Sequence, residues 1–349
     1  MRNILLLVVL LISFVTKLAA QSQEPENVLL YALPKTVLHI KVELDKITQT
    51  PGQFMQYSER YLATRDVITE KKTSYVLKRI SLSSEAIPDA NRTYSVLSND
   101  FKDPAWQLVL NERGILCGIN CDRPQPLVKA GRVEKATRKA SPKSDLLPMG
   151  EEYMLVGSVA KLAEGAAKQI YRIRENRLNL LSGDVENYPS DGKLYLALMA
   201  DMDKKEKELT ELFLGKTVVE TEQHEFRYVP ENPSANEVLF RLSPSNGIAA
   251  QNTSEATPYY ISLQTLSLPA ELLSQKSRSG GSPLLRCILP ASTQVKISDG
   301  KKEYVAGYFD IPQFGSVQLL TDQMLKGKGV KLEIDPQTGR LLKLTRDSK

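Results

Sequence analysis

The chain has 349 residues, 42% hydrophobic and 25% charged, a composition that fits a folded globular protein and excludes a disordered one. A formal net charge of +5 is too small to point to a polyanion, so no nucleic-acid partner is expected. At this length a hydrophobic core can form without disulfides.

Arg2 precedes an apolar run over residues 4–15, interrupted only by Ser13, and Leu18, Ala19 and Ala20 close it. A basic start, an apolar middle and small residues at the end make residues 1–20 a secretory signal peptide. The run falls short of the roughly 20 residues a helix needs to cross the hydrocarbon core. No transmembrane anchor is therefore expected after cleavage. Gln21, and not a cysteine, follows the cut, so lipid attachment there is not expected either. Cleavage removes Arg2 and Lys17 and leaves 329 residues with a net charge of +3. The mature protein is expected in the periplasm, at the outer membrane or outside the cell.

Residues 21–121 read as an N-terminal α+β region. Leu38, Ile40, Val42 and Leu44 alternate with His39, Lys41 and Glu43, the period of a half-buried strand. Thr50, Pro51 and Gln53 then form a capping-box signal, and Phe54, Tyr57, Ser58, Tyr61 and Leu62 recur at helical spacing. Strands are expected over residues 75–82 and 93–97, and a hairpin over 106–110 and 115–119 around Gly114. Residues 122–150 carry Arg123, Lys129, Arg132, Lys135, Arg138, Lys139 and Lys143, the pattern of a basic linker or long loop.

Residues 151–230 predict a helical hairpin. Its first helix carries Val159, Leu162, Ala163, Ala166, Ala167, Ile170 and Ile173, with Gly183 as its C-terminal cap. Its second carries Leu194, Leu198, Met202, Leu209 and Leu212, with Gly215 at its end. The small residues on the first helix allow another element to approach closely, and the hairpin is long enough to lie across a sheet. Residues 231–349 predict a C-terminal antiparallel, sandwich-like β module. Its turns are marked by Pro244 to Gly247, by Asp299-Gly300 and by Asp335-Pro336-Gln337-Thr338-Gly339.

Chemical equipment is sparse. Only His39 and His224 are histidines, and no Gly-x-Ser-x-Gly elbow is present. Gly215-Lys216-Thr217 lacks the upstream glycine of a phosphate loop and follows a helix where a strand is required. No cofactor motif or metal-ligand spacing occurs. The cysteines are Cys117, Cys121 and Cys287, an odd number that cannot all pair within one chain. Cys117 and Cys121 either bridge across a tight loop or stay reduced and buried. Glu220, Glu222 and Glu225 cluster by counting, and a solvated strand edge accounts for them.

The segment over residues 304–315 is dense in aromatics and glycine. It is either a sheet corner or a binding lip, and Tyr304, Tyr308, Phe309, Gln313 and Phe314 are the candidate binding surface.

The opening residues 31–37, then Pro51-Gly52-Gln53-Phe54, Tyr57 and Tyr61-Leu62, resemble an uncharacterised family of exported Bacteroidetes-type proteins, a domain of unknown function. So do residues 170–177, Leu181-Ser182-Gly183, Gln313-Phe314-Gly315 and the closing Asp335-Pro336-x-Thr338-Gly339. The resemblance implies export and a shared fold, and transfers no site residues. The resulting expectation is a non-catalytic envelope or periplasmic module that binds a protein or glycan. The alternative is a carboxylate-based, glycosidase-like hydrolase.

Overall fold

The structure, a computed structural model, describes residues 28–97, 106–122, 158–184, 191–250, 252–266, 283–327 and 329–346. The expected signal peptide, the basic stretch beyond Asp122 and the loop near residues 274–282 lie outside the described residues. The fold is β-rich α+β, and the described residues form three antiparallel sheets.

Two long strands set the frame. β1 (Val28–Thr50) runs back on β2 (Lys72–Leu97), and the alternation at residues 38–44 turns one face of β1 inward. Between them lie a 3₁₀ turn (Met55–Tyr57) and a short helix α1 (Ser58–Leu62). Next come β3 (Leu108–Leu110) and β4 (Leu116–Ile119). The helical hairpin is α2 (Val159–Ser182) and α3 (Gly192–Leu214). It leads directly into β5 (Lys216–Tyr228).

The remaining strands are β6 (Glu237–Ser243), β7 (Gly247–Ala249), β8 (Thr257–Thr265), β9 (Pro283–Ser298), β10 (Glu303–Thr321), β11 (Lys331–Ile334) and β12 (Leu341–Thr345). Their sheets run β2-β1-β5, β10-β9-β8-β6-β7 and β12-β11-β4-β3. β5 thus pairs with β1 from the start of the chain, and β11 pairs with β4 across more than two hundred positions.

The β2-β1-β5 sheet lies over the five-stranded sheet. Leu38, Ile40, Val42 and Leu44 meet Phe240, Ile261, Leu263, Val295 and Ile297 in one core, and Phe240 stacks between Phe226 and Tyr259. The second layer over the C-terminal sheet is therefore the N-terminal sheet. A second core joins Tyr31 and Leu33 of β1 to Leu116, Ile119, Leu285, Cys287, Ile288, Leu332 and Ile334. Long strands pass from one core to the other at breaks in register, between Ala32 and Pro34 in β1 and between Ile311 and Ser316 in β10. Trp106 packs against the second core, as expected of a hairpin residue.

Two expectations need correction. No helix starts at Thr50. Thr50 pairs with Lys216 as the last residue of β1, and the Phe54 amide donates to the Leu212 carbonyl. The end of α3 thus takes the amide that would have closed the first helical turn on the Thr50 carbonyl, and only residues 55–62 coil. The helical hairpin also does not lie across a sheet. Its buried Ala163, Ala166, Ala167, Ile170, Leu209 and Phe213 close on Phe54, with Tyr57, Tyr61 and Leu62 around them. The small-residue face does admit a close neighbour, and Gly183 and Gly215 end the two helices as expected. At the joint, a Cβ on Gly52 would lie 2.4 Å from the Leu212 carbonyl oxygen, so only glycine fits there.

Candidate binding cleft

β10 places the aromatic segment across a corner of the molecule. Its five candidate residues separate into three roles. Tyr304 turns toward the core, tilted against Tyr259 at 5.4 Å, and its hydroxyl donates to Asp299 Oδ2 at 2.9 Å. Phe314 is half-buried against the same core. Gln313 is a clamp: its Oε1 accepts from the Thr36 amide at 2.9 Å, and its Nε2 donates to the Thr36 carbonyl at 2.8 Å and the Pro230 carbonyl at 3.1 Å. Phe309 is also partly buried against that core, and Tyr308 is the well-exposed one; these two border a pocket.

They line a cleft of about 300 Å³ together with Thr36, Ser84, Glu85, Ser292, Asp310, Gln337 and Thr338. Three separate parts of the chain meet there: the β1–β2 pair, the β9–β10 pair and the turn between β11 and β12. Tyr308 is 65% exposed, and Gln294 Nε2 donates to its hydroxyl at 3.0 Å. Strand alternation puts Asp310 on the same face as Tyr308, opposite Ser292 of β9.

Both carboxylates of the cleft are already engaged. Asp310 Oδ2 lies 3.0 Å from Arg340 Nη2. Glu85 Oε1 lies 2.5 Å from Arg113 Nη2, and Glu85 Oε2 lies 3.0 Å from His39 Nε2. The Arg113 hydrogen bond, helped by His39 and opposed by partial burial, holds the Glu85 carboxyl below the usual carboxylate range. The other His39 nitrogen faces Glu225 Oε1 at 3.1 Å. A neutral ring carries one N–H and donates to one of these two carboxylates, while a doubly protonated ring donates to both.

The turn wall is rigid for a local reason. Asp335 accepts from the Gln337 amide at 2.9 Å and from the Thr338 hydroxyl at 2.6 Å, which presents both side chains to the cleft. A larger open groove of about 620 Å³ lies over residues 66–72 and Gly215, but no aromatic lines it. The three cysteines are free thiols, and burial pushes Cys117 and Cys287 up to about 11. Among the described residues, no group of three or more His, Cys, Asp or Glu is placed to hold a metal ion. None of the described helices is long and apolar enough to cross a membrane.

Tyr308 and Phe309 were readable as candidates from their segment. Glu85, Asp310, Ser292, Gln337, Thr338, Thr36 and Ser84 were not. Asp310 had one available signal, the period-2 alternation from Tyr308. The others come from distant segments that only tertiary folding brings together.

A family model described as a domain of unknown function, DUF4831, matches residues 27–342. No curated protein and no solved structure matches the chain.

Proposed function

The chain belongs to the DUF4831 family, and we propose that it is a non-catalytic exported module that binds a glycan of the cell envelope in the Tyr308 cleft. The supporting observation is an exposed aromatic ring, hydrogen-bonded at its hydroxyl by Gln294, beside two carboxylates that arginines already hold. The ring offers an apolar face to a sugar. Ser84, Ser292, Thr338, Gln337 and the carboxylate oxygens offer hydroxyl-matching partners around it. Export rests on the apolar run over residues 4–15.

Glycoside hydrolysis asks for one carboxyl that stays protonated near neutral pH, which requires a raised pKa. Glu85 is shifted the other way. That speaks against Glu85 as a general acid.

Calorimetric titration with a panel of soluble envelope polysaccharides tests the reading. At least one should bind, and Tyr308→Ala should weaken it about tenfold or more while leaving the melting temperature unchanged. Equal binding by the variant, or turnover of a bound polysaccharide by the native protein, would overturn it.

A further inference from the structure

β9 carries the Tyr308 cleft onward. Ala291, Thr293, Val295 and Ile297 form its buried face, so Ser292, Gln294 and Lys296 stand in a row on the other. Ser292 lines the Tyr308 cleft, while Gln294 and Lys296 line a second groove of about 570 Å³. The register extends that row sideways. Tyr308 of β10 pairs with Gln294, Gln294 pairs with Gln264 of β8, and Lys296 pairs with Ser262. Gln264 and Ser262 line the second groove too, and Pro233 and Ala235 give it an apolar wall. Gln294 joins the two spaces, because its Nε2 donates to the Tyr308 hydroxyl at 3.0 Å.

We propose that the two spaces form one track, and that its ligand is a linear, uncharged glycan several sugars long, lying across β10, β9 and β8. The inference rests on the Tyr308 cleft being a glycan site. Length comes from the sheet itself. Neighbouring strands lie about 4.8 Å apart, which sets Tyr308 and Gln264 about 10 Å apart across the row, more than a single sugar ring covers.

Charge selects a neutral ligand. Among the described residues Lys296 is the ionisable group on the second groove's wall, and its Nζ lies 3.3 Å from Glu303 Oε2. Arginines hold Glu85 and Asp310 in the first cleft. A uronate or phosphate on the ligand would therefore meet a cation already paired at one end and carboxylates at the other. Hydrogen bonding points the same way. The Ser262 hydroxyl is engaged, donating to Asn236 Oδ1 at 2.9 Å and accepting from the Asn236 amide at 3.1 Å. The polar groups that serve the ligand are then the Gln294 and Gln264 amides, each with two N–H donors and a carbonyl acceptor, of which Gln294 uses one N–H on Tyr308. An amide can both give and take a hydrogen bond, as a sugar hydroxyl does.

Calorimetric titration of the full mature chain with oligosaccharide ladders is the test. The probes are malto-, cello-, manno- and xylo-oligosaccharides from disaccharide to hexasaccharide, with an oligogalacturonate ladder as the charged counterpart. At least one neutral ladder should gain about tenfold or more in affinity between its disaccharide and its hexasaccharide, and the charged ladder should bind more weakly. Gln264→Ala, at an exposed position, should weaken the hexasaccharide about tenfold and so flatten the length dependence. Affinity independent of length, a Gln264→Ala variant that keeps the native length dependence, or tighter binding of the galacturonates would each overturn the track while leaving the Tyr308 site standing. Failure of every ladder to bind would overturn the Tyr308 reading and the track together.

Discussion

The sandwich core buries leucine, isoleucine and valine from both sheets, with Phe240 stacked at its centre between Phe226 and Tyr259. The helical arm closes instead on a few small side chains, Ala163, Ala166 and Ala167, and on the tilted pair of Phe54 and Phe213 at 5.5 Å. Farther out the arm exposes Leu178, Leu181, Leu194 and Leu196. One chain thus contains a body whose strands cross-brace each other from distant positions and an arm that, among the described residues, is fastened at its root. The physical consequence is unequal local stability: elements with few buried apolar contacts open below the global unfolding free energy.

Truncating the central aromatic on each side gives the sharpest test. Phe240→Ala should cost about 3–5 kcal/mol and lower the unfolding midpoint for every probe together, because it leaves a cavity in the core both sheets share. Phe213→Ala removes a side chain of equal size from the arm root. Its effect should be local, with faster amide exchange throughout α2 and α3 and unchanged exchange in β1, β8 and β9. Matching global midpoints and exchange patterns for the two variants would break the distinction.

Alkali should act on the two cores and spare the arm root, whose fully buried side chains are alanine, isoleucine, leucine and phenylalanine. Burial pushes Tyr31 and Tyr228 up to about 12, and the buried thiols of Cys117 and Cys287 up to about 11. In the unfolded chain tyrosine titrates near 10 and cysteine near 8.5. A folded state with raised pKa values binds these protons more tightly. Its stability is therefore fully present below the unfolded values and falls as pH rises through the folded ones. Denaturant midpoints should hold level up to about pH 8.5 and then decline toward pH 12. Tyr31→Phe should flatten the upper part of that decline, and a native profile that stays level to pH 12 would contradict the assignment.

The same contrast explains what could be read from residue order alone. Both helices of the arm were legible, because periodicity and a glycine at each end are local signals. The tight turns at Asp299-Gly300 and Asp335 to Gly339 were legible for the same reason, and Gly300 and Gly339 do adopt positive φ. The layering was not, since nothing near residues 38–44 announces that their partners lie at 240, 261 and 297. The capping box at Thr50 misled because the Leu212 carbonyl, far along the chain, takes the Phe54 amide. The cleft failed on the same ground. Tyr308 stood out within its own segment, but Glu85 gains meaning only when β2 is brought beside β10, and Gln313 proved to be a clamp from β10 to Thr36 of β1 and to Pro230. Glu220, Glu222 and Glu225 did read as a strand edge, since a charge-rich alternating run is a local signal too.

The smallest expected effect bears on whether the arm is held by its aromatic root or by its charges. Arg177 lies 2.6 Å from Asp203 and 2.8 Å from Glu206, and Arg174 also reaches Glu206 at 2.6 Å. Asp203 is well exposed, so water screens that pair, and Glu206 keeps Arg174 when Arg177 is removed. Arg177→Ala should therefore loosen α2 and α3 by only about 0.5 kcal/mol, read from their amide exchange. In 1 M salt, where charges are screened within about 3 Å, the difference from the native protein should vanish. A loss as large as that of Phe213→Ala, persisting in salt, would mean that the ion pairs and not the buried aromatic pair fasten the arm. The small size of the predicted loss follows from the exposure of Asp203 and from Arg174, which keeps the more buried Glu206 paired.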